Sequence, residues 1–144
     1  MIHPEATDNG AYDWAVGEKA ATEAAFADAA HHITREVVDN RVIENAMETR
    51  GCWAQKRDGR LQFNYTGQGV WGTRDSIAKT LGLAKEDVHV TTPDVGGGFG
   101  MKAFDYPEYF LVAHACNTLG TPVRWQAERT ESMLSDNGGR DLVS

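Results

Sequence analysis

The sequence predicts an α+β fold, a mixed or antiparallel sheet with packed helices, and three local patterns carry that prediction. An Asp-Gly turn at Asp58-Gly59 joins two runs of alternating character. A helical period over Thr73–Leu81 leads into the β-branched Val88-His89-Val90-Thr91-Thr92. A second helix, opened by Pro107 and closed by Gly120, leads into the alternating Val123-Arg124-Trp125-Gln126-Ala127.

Taken in order, residues 1–17 are polar and turn-rich, are broken at Asn9-Gly10, and read as a linker segment. Residues 18–144 then read as one partial domain. Glu18 to Ala30 is dominated by alanine with Glu23, Phe26 and Asp28, helix-forming material with a narrow apolar stripe. β-branched content rises from Ile33 to Val38, suggesting extended chain. Gly51–Lys56 and Leu61–Thr66 form a hairpin: Asp-Gly supplies the positive φ angles of a tight primed turn, and Leu61, Phe63 and Tyr65 alternate with Gln62 and Asn64. Ile77, Ala78 and Leu81 mark a helix that Gly82 ends. Asp105 is the expected cap of the next helix, with Glu108 near the positive end of its dipole. Phe110, Leu111, Ala113, His114 and Ala115 are its expected buried face. From Asn137 the chain reads as irregular, with no closing element before Ser144.

At 144 residues the chain can bury a serviceable core but is short for an enzyme that houses a large cofactor by itself, so a fragment is expected. A net charge of -7 with scattered Lys and Arg argues against nucleic acid. Cys52 and Cys116 read as free buried thiols. No run of about 18 apolar residues occurs, and Met1–Glu5 has neither a basic nor an apolar leader region, so a cytoplasmic location without a membrane span is expected. Neither cysteine belongs to a CxxC, and His3, His31, His32, His89 and His114 show no ligand pattern, so no residue is assigned to a metal. The adjacent His31-His32 pair reads as surface.

Two glycine loops carry the chemistry. Val95-Gly96-Gly97-Gly98-Phe99-Gly100-Met101-Lys102 follows a short apolar strand. Clustered glycines suit a loop that needs positive φ or a close approach of ligand to main chain. Phe99 could add a flat apolar surface and Lys102 a positive charge, a pairing suited to an anionic heterocyclic cofactor. Gly67-Gln68-Gly69-Val70-Trp71-Gly72 spells the GxGxxG dinucleotide fingerprint, with Asp94 about 20 residues on. The first strand of a doubly wound sheet should be nearly all apolar. Leu61–Thr66 carries Gln62 and Asn64 and joins an antiparallel hairpin, which argues against a nicotinamide site.

Set beside the segments around them, these loops make the chain resemble the large, molybdenum-cofactor-binding subunit of the molybdenum hydroxylases, the family of xanthine dehydrogenase, aldehyde oxidase and aerobic carbon monoxide dehydrogenase. The resemblance runs through Met47-Glu48-Thr49-Arg50-Gly51, Thr66-Gly67-Gln68-Gly69, the helix ending Leu81-Gly82-Leu83, the Val95–Lys102 loop, and Gly120-Thr121-Pro122-Val123-Arg124 with Glu128-Arg129.

That resemblance implies a partial chain: one layer of the cofactor-binding region of a larger subunit. Its molybdenum would be held by the dithiolene sulfurs of a molybdopterin-type cofactor and not by protein ligands. Gln68 looks like the glutamine whose amide hydrogen-bonds an oxygen ligand on the metal. Phe99 and Gly100 look like the main chain nearest the metal, with Gly97 and Gly98 permitting the approach. The residue after the loop lysine is typically a glutamate in purine-oxidising members, and here it is Ala103, which puts purine hydroxylation in doubt. Aldehyde, heteroaromatic and carbon monoxide type substrates stay open, with water as the oxygen source. The family's catalytic glutamate lies beyond Ser144, so no catalytic residue is nominated and the fragment alone is expected to be inactive. The implied partners are the remainder of the subunit, iron-sulfur and flavin subunits or domains, and a small-molecule substrate. The alternative is a stand-alone binding or scaffold module with structural glycine loops; the unfinished C-terminus and Trp53, Trp71 and Trp125, short of partners to cover them, speak against it, and in a truncated piece that exposed surface would drive self-association.

Overall fold

The computed structural model describes residue 10 and residues 12–144; the break at Asn9-Gly10 and the leader reading of Met1–Glu5 fall wholly or partly outside them. Contacts divide the chain into two units, 1–36 and 37–144. In the first, α1 spans Lys19–Asp28, as its alanine-rich composition predicts, and buries none of its residues. His31 and His32 are exposed there, with the His32 ring edge-on to Phe26.

The second unit is built on a four-stranded sheet. Strands β2 (Gly51–Arg57) and β3 (Arg60–Tyr65) form the expected hairpin, its turn made by Asp58 (φ 52°) and Gly59 (φ 75°). Helix α2 (Trp71–Leu81) carries the chain from β3 to β4 (Val88–Thr91), helix α3 (Pro107–Leu119) to β5 (Val123–Gln126), and α4 (Arg129–Ser135) follows. The strand order is β4-β3-β2-β5. β2 pairs antiparallel with β3 and β5, whereas β3 pairs parallel with β4. The unit is thus half hairpin and half β-α-β crossover, which corrects the expectation that Leu61–Thr66 takes no part in a parallel crossover. Gln62 and Asn64 fit both geometries because only one face of this sheet is covered.

That covered face holds the core. Cys52, Ala54, Leu61, Phe63, Tyr65, Val88 and Val90 meet Ile77 and Ala78 of α2 and Tyr109, Val112, Ala113 and Cys116 of α3. Each large apolar side chain buried there contributes about 1.5–3 kcal/mol. Both cysteines are free and buried, and burial pushes the Cys52 thiol up to about 12. On the opposite face the polar residues pair across strands: Asn64 Nδ2 donates to Thr91 Oγ1 at 2.9 Å, and His89 Nδ1 lies 2.6 Å from Gln62 Oε1.

Four local expectations need correction. Only Val38–Asp39 of the extended stretch is a strand (β1); the side chains from Ile33 to Val37 are exposed, and Val37 exchanges backbone bonds with Ser144 at the strand's edge. α3 is capped by Tyr106 without a side-chain bond, since the Asp105 carboxylate instead accepts from Thr73 Oγ1 at 2.8 Å. Its buried stripe is Tyr109, Val112, Ala113 and Cys116, at the i, i+3, i+4, i+7 spacing, while Leu111 and His114 face out. The C-terminal stretch is not wholly irregular: Leu142–Val143 forms β6, antiparallel to β1. α4, absent from the sequence reading, is held by a capping box in which Glu128 and Glu131 exchange side-chain-to-backbone bonds.

Candidate cofactor-facing site

Parallel pairing of β3 and β4 places the two glycine loops side by side, because each loop leaves the carboxyl end of one of two neighbouring strands. Thr92, just past β4, fastens them at the root: its Oγ1 accepts from the Gly67 N–H at 3.3 Å and donates to the Gly67 carbonyl at 3.1 Å. Further out, Gln68 N–H donates to the Lys102 carbonyl at 3.1 Å. Gly67 has no room for a side chain, since a Cβ there would overlap the buried Tyr65 ring. The N–H groups of Gly67 and Gln68, which would cradle a pyrophosphate in a dinucleotide site, are therefore already bonded within the protein.

The predicted site residues converge. Gly100 N–H donates to Gln68 Oε1 at 3.0 Å, which identifies the oxygen end of the carboxamide and turns its NH2 donors away from the loop. Among the described residues that NH2 group has no partner. A Cβ on Gly98 would lie 2.5 Å from Gln68 Oε1, so this glycine is what lets the carboxamide sit against the loop. Gly97, Phe99 and Gly100 all adopt left-handed backbone, at φ 102°, 52° and 87°. For Phe99 that conformation is costly, about 1–3 kcal/mol, and persists only where neighbours enforce it. Its ring is 71% exposed and anchors nothing.

Lys102 does not present its charge to a ligand. Its side chain is fully buried and its ammonium lies 2.9 Å from Glu48 Oε2, which corrects the expectation of a cation beside Phe99. The same Glu48 oxygen accepts from the Gly96 N–H at 2.8 Å. Burial pushes the Glu48 carboxyl up, but the Gly96 N–H and the Lys102 ammonium outweigh it and hold the group below its usual value of 4.5. A lowered folded-state pKa means that this contact stabilises fully above the unfolded value and is lost as pH falls through the folded one. Amide protection at Gly96 and Lys102, corrected for intrinsic exchange, should therefore fall as pH drops from about 5 to about 3.

Two residues that the sequence reading left without a role brace this arrangement. Arg50 is fully buried, with Nε 2.5 Å from Asp136 Oδ1, one terminal nitrogen 3.1 Å from Glu108 Oε2, the other 2.8 Å from Ser135 Oγ, and its guanidinium over the Tyr106 ring at 3.7 Å. Arg129 donates to Asn45 Oδ1 and to the carbonyls of Ala46 (2.8 Å) and Met47 (2.6 Å). Both lie in signature segments, and that membership was the only signal available before the fold was known.

A cleft of about 160 Å³ opens beside Gln68, lined also by Tyr65, Gly69, Thr73, Ala103 and Asp105. A larger hollow of about 670 Å³, by Trp71 and Arg74, is lined by none of the predicted site residues. Among the described residues no three His, Cys, Asp or Glu side chains group to hold a metal ion. What the loops offer a ligand is a carboxamide donor pair and a close-set glycine backbone, which fits a metal whose ligands come from its own cofactor.

The family model described as "Molybdopterin cofactor-binding domain" matches residues 2–144. The chain belongs to that family. Relatives similar to it include the carbon monoxide dehydrogenase large chain of Hydrogenophaga pseudoflava, 34% identical over 96% of this chain and 17% of the relative. The 6-hydroxypseudooxynicotine dehydrogenase complex subunit gamma of Paenarthrobacter nicotinovorans is 35% identical over 83% of this chain and 15% of the relative. Among solved structures, the reconstituted CO dehydrogenase from Oligotropha carboxidovorans matches with a TM-score of 0.69 and 34% identity, covering 89% of this chain and 16% of its own. The chain thus spans about one sixth of the length of these relatives. Its α+β fold and its sequence are similar over this length to large subunits of the molybdenum hydroxylase family. No helix among the described residues is long and apolar enough to cross a membrane.

Proposed function

We propose that this stretch supplies the protein contacts around a molybdopterin-bound molybdenum in an enzyme that oxidises an aldehyde, heteroaromatic or carbon monoxide type substrate with water as the oxygen source. The observation that carries the reading is the Gln68 carboxamide, locked by the Gly100 N–H with both of its own donors left over. When bound, the cofactor supplies a redox-active metal with oxygen ligands. Gln68 Nε2 would donate to that group, and the Gly97, Gly98, Phe99 and Gly100 main chain would line the approach to it. Gly98 keeps the carboxamide seated, and Ala103 stands in the adjoining cleft where purine-oxidising members typically carry a glutamate, the Asp105 carboxylate of that cleft being engaged by Thr73. Residues 18–144 form the cofactor-binding part and 1–17 a connecting segment. Electrons leave through iron-sulfur and flavin subunits or domains, and the two free buried thiols suit a reducing cytoplasm.

The test uses the full reading frame purified with its associated chains. Stoichiometric molybdenum and pterin are expected. Gln68→Ala should lower kcat/KM about 10–100-fold while metal content holds, the scale seen when an outer contact to a metal site is removed. Metal-free wild-type enzyme, or a Gln68→Ala variant with unchanged kinetics, would overturn the reading.

A further inference from the structure

The Val95–Lys102 loop has little to hold it from within. Three of its residues are left-handed, the Phe99 ring among them is exposed while Met101 and Lys102 at its far end are buried, and its internal bonds are a 3.4 Å contact from Lys102 N–H to the Gly98 carbonyl and a 3.1 Å bond from Ala103 N–H to the Gly100 carbonyl. What fixes it comes from outside, and much of that comes from Glu48. The Glu48 main-chain N–H donates to the Gly96 carbonyl at 3.2 Å while its Oε2 accepts from the Gly96 N–H at 2.8 Å. The same oxygen holds the Lys102 ammonium at 2.9 Å. Gly96 and Lys102 bracket the strained residues, so one carboxylate oxygen grips both ends of the arc. The grip passes on to Gln68, because Gln68 N–H bonds the Lys102 carbonyl and Gln68 Oε1 bonds Gly100 N–H. The contact is also close: a Cβ on Gly96 would meet Glu48 Cβ at 2.5 Å.

We propose that Glu48 is the positioning residue of the molybdenum site: by clamping Gly96 and Lys102 it sets where the Phe99-Gly100 main chain and the Gln68 carboxamide stand relative to the metal. This deepens, and rests on, the molybdenum reading above. Glu48 touches neither cofactor nor substrate in this role; it acts through the loop.

The experiment compares the full-length enzyme with Glu48→Gln and with the double variant Glu48→Gln/Lys102→Met. Glutamine keeps an acceptor for Gly96 but leaves the Lys102 charge buried without a counter-charge. Methionine at 102 removes that charge, so the double variant separates fold stability from loop placement. Four readouts are taken: molybdenum per subunit, the electron paramagnetic resonance spectrum of the partly reduced metal, kcat per molybdenum against KM, and amide exchange in 95–102 and in the 51–65 hairpin. Expected in both variants are a fall of about 10-fold in kcat per molybdenum, a KM within about twofold, a shifted resonance spectrum, and loop exchange faster by about 10-fold with the hairpin unchanged. The double variant should regain thermal stability without regaining kcat. If either variant folds, loads metal and keeps the wild-type kcat and spectrum, the inference is wrong while the molybdenum reading stands. Wild-type enzyme without molybdenum would overturn both, and that result is visible before any variant is made.

Discussion

Gly98→Ala is expected to cut turnover of the complete enzyme about 100-fold while the protein stays folded, with a stability change under about 1 kcal/mol. Gly98 does not adopt left-handed backbone, so alanine is acceptable there as far as the main chain is concerned. The difficulty is purely one of space. The new methyl would stand 2.5 Å from Gln68 Oε1 and 2.6 Å from its Cδ. Gln68 is exposed and can swing aside at small energetic cost, but in doing so it leaves the Gly100 N–H and takes its free donors with it. A displacement of about 1 Å in a positioning group is enough for a loss of this size. Steady-state kinetics beside a thermal melt checks it, and wild-type kcat in a folded variant would mean that the Gln68 carboxamide is not used.

Arg50→Met should show the opposite profile, a loss of about 3 kcal/mol in folding stability that precedes any effect on chemistry. The arginine ties the start of β2 to the first turn of α3 through Glu108 and to the end of α4 through Ser135 and Asp136, with Tyr106 stacked on its guanidinium. Burial works against its charge, but the bonds to Asp136 and Glu108 more than offset this and raise its pKa above the ordinary arginine value. Without the cation the Asp136 carboxylate, 10% exposed, faces Glu108 across the vacated space with no counter-charge. Methionine fills much of the volume, so the loss reports charge and hydrogen bonds more than a cavity. Urea unfolding measures it, and a change below about 1 kcal/mol would show that the partners rehydrate freely.

The parts of the fold that could be read from the sequence are those whose cause is local. Asp58-Gly59 announces its turn, the Leu61-Phe63-Tyr65 alternation its buried face, and Gly82 and Gly120 the ends of their helices. α4 has a weak sequence signal because it is seven residues long, buries only Ser132 and starts from a glutamate, an unusual cap residue. β1 and β6 are two residues each and exist only through each other. At the site, the glycine loops and Gln68 stand out by composition and by family resemblance. The destination of the Lys102 charge does not, since nothing near it in sequence says that a carboxylate 54 residues earlier will claim it. The phase of α3 is set by Tyr109, Val112 and Cys116, and the larger apolar run Phe110-Leu111 between them masks it in the sequence.

The bonds that define the loops span long stretches of chain: 32 residues from Gly100 to Gln68, 48 from Gly96 to Glu48, 83 from Arg129 to Ala46. Closures of that kind cannot form until the sheet has brought the segments together, because their entropy cost comes before their reward. The expected order of assembly is hairpin and helices first and glycine arc last, so amide protection during refolding should appear in 51–65 before it appears in 95–102. On that order the stretch that closes last is the one placed beside the cofactor under the proposed function, which would tie metal loading to completion of the fold.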